Sequence, residues 1–76
     1  MKFTLKSVVN GDITITNHNA YSECEKIILG NVGCFAVVDN ENSKYKVLIS
    51  ADQQILTESA WIDLSQAPKN LMSTHV

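Results

Sequence analysis

The sequence predicts an α+β fold: an antiparallel sheet of four to five strands with one helix packed on one face, in the order β-β-α-β-β-β. Three observations carry this. Asn10-Gly11 stands between two alternating segments, the strongest short hairpin pattern, because both central positions of the favoured turn need φ > 0. Ala20, Cys24, Ile27 and Ile28 recur at helical spacing. The apolar run 34–38 precedes another alternating segment across a polar loop.

The elements follow in order. Over residues 2–9, Phe3 and Leu5 point one way and Lys2, Thr4 and Lys6 the other, as in a half-buried strand. Ile13 and Ile15 alternate with Thr14 and Thr16, so 12–16 should pair back on 2–9. Asn17-His18-Asn19 offers helix caps, with Asn19 the best placed to accept from the first turn. A helix over 20–29 follows, with Gly30 as a left-handed C-cap. Residues 34–38 read as a central strand, 39–43 as a loop, and 44–50 as its hairpin partner. In the last of these Tyr45, Val47 and Ile49 share a side opposite Leu48. A turn at 51–54 and short strands over 55–58 and 60–64 complete the sheet. Beyond Ser65, either Leu71 and Met72 dock as a last helical turn or 66–76 is a mobile tail.

Length allows one domain, 1–76. The 45% apolar and 18% charged content is that of a globular chain. No apolar run reaches the length of a signal peptide or a membrane span, so a cytoplasmic protein is expected. The net charge is -2, and all six basic residues are lysines. A binder that neutralises phosphates carries a basic patch, so direct nucleic-acid binding is not expected. Without arginine, bidentate recognition of phosphate or carboxylate is disfavoured as well.

No catalytic chemistry stands out. His18 and His75 are the histidines, and neither sits at ligand spacing from Cys24 or Cys34, so no metal or other cofactor is expected. Gly30 and Gly33 flank a helix end, not the helix start that a phosphate loop needs. The two cysteines are expected as buried, inert thiols, with a bridge between helix and strand as the alternative. An enzyme is therefore not expected.

Trp61 either seals the core edge or anchors an interface. Asn17, His18, Tyr21, Glu25 and Lys26 are the candidate protein-binding residues, as one exposed patch around the helix start. In element order, and at Cys34-Phe35 with its following strand pair and Trp61-Ile62-Asp63, the chain resembles a group of small phage and mobile-element proteins. That group includes a type I-F anti-CRISPR inhibitor that binds the Cas surveillance complex. The resemblance implies a protein-binding module of a phage or mobile element, with inhibition of a host defence complex as one role it suggests. The inhibitor has a basic helix, and here only Lys26 matches that character. The alternative is a homodimer pairing through an edge strand between 55 and 64, where Glu58 and Asp63 are the charges.

Overall fold

In a computed structural model the described residues are 2–74, so His75 lies outside them. The elements are β1 (Phe3–Val9), β2 (Asp12–His18), α1 (Tyr21–Leu29), β3 (Gly33–Asp39), β4 (Lys44–Ala51), β5 (Gln54–Glu58), β6 (Ile62–Asp63) and a 3-10 turn (Leu64–Gln66). All strand pairs are antiparallel. The sheet runs β2-β1-β3-β4-β5, with β6 also on β4. This is the expected α+β architecture, with the helix after β2.

The first hairpin closes with Val9 opposite Asp12. Asn10 and Gly11 take φ of 53° and 81°, the positive pair that the turn requires. β2 extends to His18, so Asn17 and His18 are strand residues and not caps. Asn19 does not cap the helix either. Ala20 holds that place with no side-chain bond, and its carbonyl accepts from Glu23 N–H at 3.1 Å. Gly30 is in the right-handed region, φ −82° and ψ −2°, not left-handed; its N–H closes the last turn onto Lys26 O at 3.0 Å. Gly33 serves a close approach. A Cβ there would collide with the Val8 carbonyl oxygen.

The 51–54 turn is a second two-residue hairpin turn, with Ala51 opposite Gln54. Asp52 and Gln53 supply the positive φ values, 53° and 62°. The expected strand over 60–64 shrinks to Ile62–Asp63. The Asp63 carboxylate accepts from Ser65 N–H at 3.0 Å and turns the chain into the 3-10 segment. Leu71 N–H bonds Pro68 O, and Ser73 N–H bonds Asn70 O, each at 3.1 Å, forming turns and not a helix.

Residues directly opposite across antiparallel strands share a face. Leu5, Val37 and Lys46 therefore lie on the helix side, as do Phe35, Leu48 and Ser50. The core is Leu5, Cys24, Ile28, Phe35, Val37 and Leu48, with Phe3, Val9, Tyr21, Ile27 and Ile55 packed against it. Val8, Ile13, Ile15, Cys34, Ala36, Val47 and Ile49 lie on the outer face. The cysteines are both free. Cys24 is buried under the helix, but Cys34, expected to be buried, is exposed on the opposite side of the sheet. Its run was apolar because alternate members serve opposite faces.

Candidate functional site

The expected patch around the helix start is divided by the sheet. Asn17 faces outward, where its Oδ1 accepts from Thr4 Oγ1 at 3.0 Å, and Thr4 accepts in turn from Asn40 Nδ2. His18 faces the helix side. Its Nε2 is 2.7 Å from Thr16 Oγ1 and its Nδ1 is 3.3 Å from Glu23 Oε1. Tyr21 is not a polar-face residue: its ring packs edge-on to Phe3, with centroids 5.9 Å apart, and against the core. Glu25 is half-buried one step round the helix from Tyr21, and Lys26 is exposed on the side away from the core. His18, Tyr21 and Glu25 are thus brought to one end of the helix layer, whereas Asn17 and Lys26 are not.

That end holds an arrangement built around Lys46. The strand alternation turns Lys46 toward the helix, where only 8% of the residue is exposed. A buried ammonium needs a partner and further polar contacts. Glu58 supplies a hydrogen-bonded ion pair from β5. Two aromatic rings supply the rest: Nζ lies 4.8 Å from the Trp61 centroid and 5.4 Å from the Tyr21 centroid. Both distances are within cation–π range. Tyr21 and Trp61 meet edge to face at 5.8 Å. Phe3, Tyr21 and Trp61 form one row, its outer end being Trp61 at 40% exposure.

Burial pulls the Lys46 pKa down, but the Glu58 and Tyr21 neighbours outweigh it and the net shift is upward. Burial raises the Tyr21 phenol, partly offset by the ammonium beside it. At neutral pH Lys46 is therefore a fixed cation and Tyr21 a neutral ring. Burial likewise pushes the Cys24 thiol up, with the Glu23 charge adding to it.

The outer face carries a second feature, an apolar cleft of about 390 Å³. Val8, Cys34, Ala36, Val47 and Ile49 floor it, Pro68 and Leu71 wall it, and Lys6 stands at its β1 end. The Lys6 ammonium reaches Asn70 O at 3.4 Å. Val47 and Ile49 are each 43% exposed.

Among the described residues, no group of three or more His, Cys, Asp or Glu side chains could hold a metal ion. No helix among them is long and apolar enough to cross a membrane. Sequence reasoning missed Lys46 and Glu58. Their signal was the alternation Lys46-Leu48-Ser50, which puts a lysine in line with two buried positions. No family model, no curated protein and no solved structure matches this chain.

Proposed function

We propose that this chain is a non-enzymatic protein-binding module whose contact surface is the aromatic end of the helix layer. One observation carries the reading: Trp61 is 40% exposed yet already held by Tyr21 and the Lys46 ammonium. Tryptophan and tyrosine dominate binding hot spots, and a ring fixed beforehand loses little freedom on binding. His18 and Glu25 border this end and supply polar contacts around an aromatic centre. The resemblance at Cys34-Phe35 and Trp61-Ile62-Asp63 supports a phage or mobile-element origin and a host defence complex as the partner class.

Affinity capture from a bacterial host lysate, run with wild type and Trp61→Ala together, tests this. The expected result is one stoichiometric protein partner bound at least about tenfold more weakly by the variant, as hot-spot truncation implies. A wild type that retains no partner, or a partner held equally by Trp61→Ala, overturns the reading.

A second reading, a homodimer through β5, is favoured by Leu56, which is 60% exposed on that edge strand. Light scattering at high protein concentration discriminates, because a strictly monomeric mass counts against pairing.

A further inference from the structure

The geometry points to the outer-face cleft as a binding site for an amphipathic monoanion, an unbranched alkyl chain ending in a carboxylate. Position, size and charge each lead there. The site lies across the sheet from the aromatic end, so it goes beyond the protein-binding reading and stands or falls separately.

The cleft runs across β1, β3, β4 and β5, since its lining includes Val8, Cys34, Ile49 and Thr57. Three inter-strand spacings amount to about 14 Å, close to the extended length of a chain of roughly ten carbons. Its volume of about 390 Å³ falls in the range of small-molecule sites, about 300–1,000 Å³. Apolar side chains floor it along this path, so an alkyl chain laid there leaves water without stranding a polar group.

Charge sets the identity of the head group. Among the described residues Lys6 is the one charged residue lining the cleft, and it stands on β1, at one end of the trough. Its contact to Asn70 O, at 3.4 Å, is at the long limit of a hydrogen bond. The ammonium can turn from a neutral carbonyl to a carboxylate, and a charge-assisted bond is the stronger of the two. A neutral alcohol would gain only the apolar part, and a cation would meet Lys6 with like charge. The alkyl chain thus lies from Lys6 over Val8 and Cys34 toward Ile49, with Leu71 along its side.

Cys34 provides the readout. It is the exposed thiol in the cleft, while Cys24 is fully buried, so a neutral alkylating agent such as iodoacetamide reports on Cys34 in the native protein. The full chain is titrated with decanoate, decanol and decyltrimethylammonium, each below its aggregation concentration. Decanoate should protect Cys34 saturably with a Kd below about 1 mM. Decanol should bind at least about tenfold more weakly, a difference of about 1.4 kcal/mol. The ammonium compound should not protect. Lys6→Gln should reduce decanoate to the level of decanol, and Trp61→Ala should leave it unchanged.

The proposal is overturned by any of four results: no saturable protection by decanoate up to about 1 mM, equal protection by all three probes, a Lys6→Gln variant that binds decanoate like wild type, or light scattering that shows a dimer with Cys34 already shielded.

Discussion

The two faces of the sheet solve opposite problems. On the helix side, the buried polar residues Lys46 and Ser50 lie in an apolar layer, and both have partners. Lys46 pairs with Glu58 between two rings. The Ser50 hydroxyl, 1% exposed, lies 2.6 Å from Ile28 O and 2.7 Å from Asn31 O, where the helix ends. On the outer side the reverse holds: Val47, Ile49 and Cys34 are apolar groups left open to solvent. The contrast separates two roles. The inner face holds the fold together and opens to solvent at Trp61, while the outer face has apolar surface to spare for contact.

The largest expected effect tests this most directly. Leu48→Ala, on the inner face, should destabilise by about 2–5 kcal/mol, because it opens a cavity in a closed core. Its strand neighbour Val47→Ala, on the outer face, should cost no more than about 1 kcal/mol. Chemical denaturation of both variants checks the pair, and equal losses would break the distinction.

Ser50→Ala comes next. It removes the single hydroxyl proton that the Ile28 and Asn31 carbonyls share in a buried setting. A loss of about 1–3 kcal/mol is expected, read as a lower denaturation midpoint at unchanged slope.

The Lys46 site should show in the alkaline limb of stability. Its folded pKa lies above the ordinary 10.5, and that of Tyr21 above the ordinary 10.0. The folded protein therefore holds these protons more tightly than the unfolded chain. The resulting stability is complete below the unfolded values and is lost as pH rises through the folded ones. Melting temperature should fall above about pH 10. Glu58→Gln should lower it at neutral pH by the equivalent of about 1–2 kcal/mol and flatten that alkaline loss.

The smallest effect compares one residue type across the sheet. Lys6→Gln should change stability by less than about 0.5 kcal/mol, as expected of a surface position. Lys46→Gln should cost several times more, since it leaves Glu58 without its cation. Thermal melts of the two variants at neutral pH check this.

Much of the fold was legible because local chemistry and global structure agree. Asn10-Gly11 demanded a tight hairpin, and the 20–29 periodicity demanded a helix. The misreadings have physical causes. The 51–54 turn was legible as a turn, but its tight form was hidden because Asp52 and Gln53 adopt positive φ without a glycine to advertise it. The N-cap at Asn19 was inferred from residue type, yet β2 runs through His18 and leaves that position to Ala20; Gly30 does cap the C-terminus, but in the right-handed region and not the left-handed one inferred from its type. The candidate site was less legible still. Tyr45, Val47 and Ile49 alternate cleanly, but the side they mark is the outer one, while the inner side reads Lys46-Leu48-Ser50. Hydropathy ranks a lysine and a serine as solvent-facing. Only the pairing of β4 with β3 and β5 reveals that both have partners waiting inside.

The opening turn has a consequence for the fidelity of folding. In β2 the apolar side chains, Ile13 and Ile15, face away from the helix, and Thr14 and Thr16 face toward it. Hydrophobic patterning alone favours the opposite choice. A slip of β2 by one residue would reverse every side chain and bring both isoleucines to the helix side. What forbids that slip is the backbone of Asn10 and Gly11, whose two positive φ angles admit a loop of two residues and no other length. Here a pair of torsion angles overrules the greasiness of a strand, and a chain with a looser loop at this point would have two rival ways to close its first hairpin.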